Sequence, residues 1–171
     1  PAPMFDNSAM DGYAVRAAET SGASAQAPVV LPVAGDVPAG AAPTPLAPGS
    51  AQRIMTGAML PEGADAVVKV EDTDQAPGPH PIPARVEIRT AASPGLNVRR
   101  AGENVAAGDP VMAAGTRLSA AAISALASVG LGSVPVAPRV RVAVVSTGAE
   151  LRDAGQALEP GTIPDSNSLL L

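Results

Sequence analysis

Asp11, Thr56 and Glu150 are the residues whose types and neighbours can do chemistry. Asp11 lies in Asn7-Ser8-Ala9-Met10-Asp11-Gly12-Tyr13. Its carboxylate can hold a metal ion or a polar substrate, and an Asp-Gly pair can equally be a plain turn. Thr56, in Ile54-Met55-Thr56-Gly57, stands where a short strand meets a flexible glycine. Backbone amides can approach an anion there, although a simple strand-end turn uses the same residues. Glu150 follows Ser146-Thr147-Gly148-Ala149 at the carboxyl end of an apolar run, the side on which α/β sheets place ligand-binding groups. Arg99 and Arg100 are the adjacent bases, suited to a phosphate or to an exposed turn. Glu71, Asp72 and Asp74 form an acidic cluster that reads as a solvated loop end, with cation binding as the other reading.

Other chemistries are limited by residue supply. There is no cysteine, which excludes disulfides, thiolate zinc sites and cysteine nucleophiles. His80 is the single histidine, so a Ser-His-Asp triad would depend on it; its Gly-Pro-His-Pro-Ile-Pro setting reads as a solvated loop. The glycines spell neither a Walker loop nor a dinucleotide fingerprint.

The elements that must position these residues are mostly short strands. Asp11-Gly12 heads Tyr13-Ala14-Val15. Residues 29–34 read as a strand that Pro32 demotes to an edge or a bulge. Residues 53–56 and 66–70 are further strands, and Arg85-Val86-Glu87-Ile88-Arg89 alternates with period two, the pattern of a half-buried strand. Residues 110–112 suggest another short strand. Ser119 reads as the N-cap of a helix over 120–129 with Ile123, Leu126 and Ala127 at helical spacing and Gly130 as its stop. The run Val140-Arg141-Val142-Ala143-Val144-Val145 reads as a buried parallel strand, and Asp165 to Ser168 as a helix start leading into Leu169. The fold class expected is α+β, mainly β. A β-rich module over 1–107 leads through a helix-containing segment, 108–138, into the start of an α/β domain at 139–171. The sequence begins at Pro1 without a methionine and stops inside a leucine run, which reads as a piece of something longer.

Composition narrows the partners. Apolar residues make up 46% of the 171, enough for one domain or two small ones, yet Phe5 and Tyr13 are the aromatic residues, so the core must be Ala, Val, Leu and Ile. The 17 glycines and 19 prolines stay below the share typical of disordered low-complexity chains, which leaves turns between short strands as their use. A net charge of −5 with scattered bases argues against a nucleic-acid surface. No apolar run reaches the roughly 18 residues a membrane span needs.

Four segments occur in one order: Phe5 to Val15; Arg53-Ile54-Met55-Thr56-Gly57-Ala58; Leu60-Pro61-Glu62-Gly63-Ala64-Asp65-Ala66-Val67-Val68; and Val144-Val145-Ser146-Thr147-Gly148-Ala149-Glu150-Leu151. Together they resemble the molybdopterin molybdenumtransferase family, MoeA and the gephyrin E domain. Asn97 to Glu103 and Ile163-Pro164-Asp165-Ser166-Asn167 resemble family segments too. The resemblance implies a cytoplasmic enzyme that inserts molybdenum from molybdate into adenylated molybdopterin, releases AMP and uses Mg²⁺. It implies an elongated homodimer with a site between the β-rich module of one subunit and the α/β domain of the other. Asp11, Thr56 and Glu150 fall on family site positions, with Asp11 and Glu150 as the metal-handling acids. Arg99, Arg100, Ser146, Thr147 and Gly148 are expected to contact substrate. Asn104 stands where many relatives carry an aspartate, so one charge is missing there. A non-catalytic scaffold of gephyrin-like type is the alternative function.

Overall fold

A computed structural model describes residues 1–170. The chain divides into two compact units, Pro1–Gly132 and Ser133–Leu171, and Leu171 itself lies outside the described residues.

The first unit is built on a five-stranded sheet. Its strands are β2 (Gly12–Val15), β3 (Val29–Val37), β4 (Ala51–Ile54), β5 (Ala66–Lys69) and β6 (Arg85–Ile88), in the spatial order β5-β2-β4-β3-β6. A separate pair joins β1 (Asn7–Ser8) to β7 (Val98–Arg99), with Asn7 opposite Arg99. β2 is flanked on both sides by antiparallel neighbours, so Gly12 faces Ile54 on one side and Lys69 on the other. All four β2 residues are buried, because both faces of the strand are covered. Tyr13 and Val15 pack with Leu31, Ala51, Val68, Val86 and Ile88 on one face; Ala14 packs with Val37, Ile54 and Val67 on the other. Without large aromatics these cores depend on each aliphatic side chain. Ile54→Ala is therefore expected to cost roughly 2–5 kcal/mol in urea unfolding, the range for truncating a buried isoleucine; a smaller loss would mean that the site collapses around the missing atoms.

The expected strands over 29–34, 53–56, 66–70 and 85–89 are present with shifted ends. Pro32 does not lie on an edge strand. β3 pairs with β6 through Val29 to Pro32, then with β4 from Val33 onward, with a register shift between Val33 and Asp36. Proline sits where the strand changes partner, so its missing N–H removes little from either ladder.

The helix is present as α1 (Ala120–Ser128), with the Ser119 hydroxyl accepting from the Ala122 amide at 3.2 Å. It buries none of its side chains, and Ile123 is 57% exposed. Residues 110–112 form no strand. The second unit holds a two-residue parallel pair, β8 (Leu151–Arg152) with β9 (Ile163–Pro164), and a short helix α2 (Asn167–Leu170). The run 140–145, expected as a buried strand, carries no strand structure, and Val140, Val142 and Val145 are 88%, 77% and 79% exposed. An all-apolar strand needs neighbours to complete its ladder and cover its faces, and among the described residues none pairs with it. No helix among them is long and apolar enough to cross a membrane.

Candidate functional site

The register of β2 against β4 determines which residues meet. In an antiparallel pair with Gly12 opposite Ile54, the residue before Gly12 faces the residues just after Ile54. Asp11 and Thr56 therefore meet at one end of the sheet although they are 45 positions apart. Asp11 Oδ1 accepts from the Thr56 backbone N–H at 2.7 Å and from the Thr56 hydroxyl at 2.7 Å. Its other oxygen, Oδ2, is left free by these two bonds, and both residues are exposed.

The surrounding loops are held in place by their own backbone bonds. The Asp11 carbonyl accepts from the Val70 amide at 3.0 Å, and the Ser8 carbonyl accepts from Gly57 at 2.8 Å. The Ser8 amide donates to Ala58 O at 3.0 Å. Gly57 has φ of 80°, the left-handed conformation that lets the turn after Thr56 close. Gly12 is required for a different reason. A Cβ there would stand 2.0 Å from the Val68 carbonyl oxygen.

The Thr56 amide, and after it the Thr56 hydroxyl, hold the Asp11 carboxyl below its usual range. A carboxyl with a depressed folded-state pKa adds stability above its unfolded pKa, about 3.9, and that contribution is lost as pH falls through the lower folded value. Thr56→Val keeps the amide donor and removes the hydroxyl. Its stability deficit against the unmodified protein is expected in full at pH 6 and to narrow below about pH 4, read from urea midpoints at both pH values. A deficit that does not change with pH would assign the loss to packing instead. Because Asp11 is exposed, the deficit is small in either case.

Beside this corner is a cavity of about 400 Å³. Asp11, Met55 and Val70 line it, together with Tyr13, Arg53 and His80. Arg53 makes a two-pronged ion pair with Asp36, Nε to Oδ1 at 2.8 Å and Nη2 to Oδ2 at 3.0 Å, and donates from Nη1 to the His80 carbonyl at 2.7 Å. The Arg53 guanidinium in turn holds the Asp36 carboxyl below its usual range. His80 lies in the loop expected and is partly exposed, and its ring nitrogens stand 2.8 Å from Ala76 O and 3.1 Å from Pro81 O. Burial raises the Tyr13 hydroxyl above its usual range, so it stays a neutral phenol. The spacing of Tyr13, Arg53 and His80 carries no signal that they share this cavity. Arg53 and Asp36 are 17 positions apart and meet only through the parallel pairing of β3 with β4.

Arg99 is exposed on β7. Arg100 is tied into a turn: its guanidinium meets Asp6 at 2.6 Å while Asp6 also accepts from the Ala101 amide at 2.8 Å. Those bonds, the Ala101 amide first, lower the Asp6 carboxyl. Asn104 is exposed in the same segment, and its amide donates to Ala2 O at 3.0 Å. In the second unit, Ser146 is half-buried and Thr147, Gly148 and Glu150 are exposed. The Glu150 carboxylate folds back over Gly148, where a Cβ would come within 2.6 Å of Oε1. The Ser168 hydroxyl and amide, with the Ser146 hydroxyl, hold Asp165 below the usual carboxyl range. Among the described residues there is no group of three or more His, Cys, Asp or Glu side chains that could hold a metal ion by themselves.

The family model for the MoeA N-terminal region (domain I and II) matches residues 1–130. Molybdopterin molybdenumtransferase 2 of Mycobacterium tuberculosis is 52% identical over 170 residues, covering 99% of this chain and 40% of its own length. Molybdopterin molybdenumtransferase of Bacillus subtilis is 39% identical over 172 residues, again covering 99% of this chain and 39% of its own. The crystal structure of a molybdopterin biosynthesis MoeA protein from Pyrococcus horikosii superimposes with a TM-score of 0.79 at 41% identity, over 97% of this chain and 41% of that one. The chain thus spans about two-fifths of the length of the curated relatives it matches.

Proposed function

The chain belongs to the family defined by the MoeA N-terminal region, domains I and II, and from that membership we propose that it serves in molybdenum cofactor biosynthesis. The reaction assigned is that of a molybdopterin molybdenumtransferase: metal from molybdate enters the dithiolene of adenylated molybdopterin, and AMP leaves. The observation that carries this reading within the structure is the Asp11–Thr56 corner, an exposed carboxylate held anionic by two donors with one oxygen free.

That corner fits Mg²⁺. The ion binds through one or two carboxylates plus substrate phosphate oxygens and retained waters, so a full protein cage is not needed. Asp11 Oδ2 would hold it. When bound, Mg²⁺ would neutralise charge developing on phosphate oxygens as the adenylate is cleaved. Thr56 holds Oδ1 by donating from both its amide and its hydroxyl, which leaves Oδ2 available to the ion. Glu150 is assigned as an acid for cation, molybdate or phosphate handling, and Ser146, Thr147 and Gly148 as hydroxyl and backbone contacts to substrate. Arg99 is the freer of the two arginines for a phosphate, since Arg100 is already paired with Asp6. A homodimer, a cytoplasmic location and the division of the chain at 107 and 138 belong to the same proposal.

The test is genetic. The protein that carries this chain is expected to restore growth that depends on a molybdenum enzyme in a bacterial strain lacking its own molybdenumtransferase. Failure to restore it, with the protein present at normal level, would favour the scaffold.

A further inference from the structure

Ser8 is fully buried, yet it joins the two halves of the exposed Asp11–Thr56 corner. Its backbone holds the residues just after Thr56, through the bonds it makes with Gly57 and Ala58. Its side chain holds the residue just before Asp11. The Ser8 hydroxyl donates to the Met10 carbonyl at 2.5 Å, and the same oxygen accepts from the Met10 amide at 3.2 Å. With the two bonds from Thr56 to Asp11 Oδ1, these contacts close a ring that runs from Asp11 through Thr56, Gly57, Ser8 and Met10 and back to Asp11. Apart from Asp11 and Thr56 themselves, Ser8 is the residue whose side chain closes the ring. A serine bonded to main chain two residues on fixes a local turn, and here that turn delivers Asp11. The turn is also held from outside. The Ala9 amide donates to the Asn97 carbonyl at 2.9 Å. Asn97 has φ of 53°, a left-handed conformation that asparagine adopts more readily than most residues, and its side-chain amide donates to the Val67 carbonyl of β5 at 2.9 Å.

We infer that Ser8 is a positioning residue, whose hydroxyl acts through Met10 to hold Asp11 in place against Thr56. Being buried, it acts on the corner only through its neighbours. Residues that orient a metal-handling carboxylate from behind influence a site nearly as strongly as the carboxylate itself. The inference deepens the proposed function and rests on it for its kinetic consequence, whereas its structural consequence at Thr56 does not depend on the reaction.

The experiment is amide hydrogen exchange at Thr56, followed by NMR in the protein that carries this chain. Ser8→Ala is expected to speed exchange of the Thr56 amide about fivefold, the scale of one net hydrogen bond. The Val67 amide, bonded to the Leu96 carbonyl at 2.9 Å, is expected to keep its rate. Ser8→Cys fills the same space with a weak donor and acceptor, so it is expected to speed exchange at Thr56 as Ser8→Ala does. On the proposed function, Ser8→Ala lowers kcat for molybdate-dependent AMP release about tenfold. In an Asp11→Asn background it adds no further loss, because the two residues act as one unit. The inference is overturned if Thr56 exchange is unchanged in both variants, if Ser8→Cys keeps the slow exchange, if Val67 accelerates equally, or if Ser8→Ala costs the same factor without Asp11. A folded protein that releases no AMP would count against the proposed function, and the exchange at Thr56 would still decide for or against Ser8.

Discussion

Replacing Asp11 with asparagine in the protein that carries this chain is expected, on the proposed function, to lower the rate of molybdate-dependent AMP release by roughly 100-fold or more, the scale seen when one preorganised electrostatic group is removed from a site. Asparagine is the informative substitution because its amide oxygen can still accept from the Thr56 amide and hydroxyl, so the corner keeps its shape and loses its charge. The measurement is kcat of the purified protein that carries this chain, beside its melting temperature. Asp11 is exposed, so the melting temperature should move by a few degrees at most while the rate collapses. A rate within threefold of the unmodified protein would remove Asp11 from the chemistry.

Gly12→Ala is expected to have the largest effect on stability. The added methyl group would meet the Val68 carbonyl oxygen at 2.0 Å and the Lys69 Cα at 2.8 Å, both backbone atoms of a paired strand that no side-chain rotation can clear. Either β2 and β5 separate or the chain strains, at an expected cost of about 3 kcal/mol or more. Separation would also break the bond from the Val70 amide to the Asp11 carbonyl and release the Asp11–Thr56 corner. Gly35→Ala is the matched control: its Cβ would meet nothing within 4 Å and its φ lies outside the left-handed region. It should be neutral or slightly stabilising in the same denaturant titration. Equal effects at the two glycines would show that the strand pair yields more readily than its geometry suggests.

The two glycines illustrate how far the sequence could be read. The strand at 85–88 was legible because its alternation is local, and so was α1, whose Ser119 cap and Gly130 stop are encoded within one short segment. Asp11 and Thr56 were legible as individual candidates. Their hydrogen bond was not, because it depends on the β2–β4 register across 45 positions. Pro32 illustrates the same limit: a proline can signal an edge or a bulge, and here it marks a change of strand partner that depends on β6, more than fifty residues downstream. The run 140–145 failed in the opposite direction. Its apolar pattern is that of a covered parallel strand, yet pattern alone supplies no neighbours, and without them it carries no ladder. The cavity lining was hidden for a related reason, since His80 and Arg53 acquire their roles only when the proline-rich loop lies against β4.

The most direct test of the central claim is the release of AMP from adenylated molybdopterin, measured with Mg²⁺ and with or without molybdate, in the active protein that carries this chain. The account predicts release that molybdate stimulates and that is absent without the divalent cation. Release that is indifferent to both, or none from a folded protein, would contradict it.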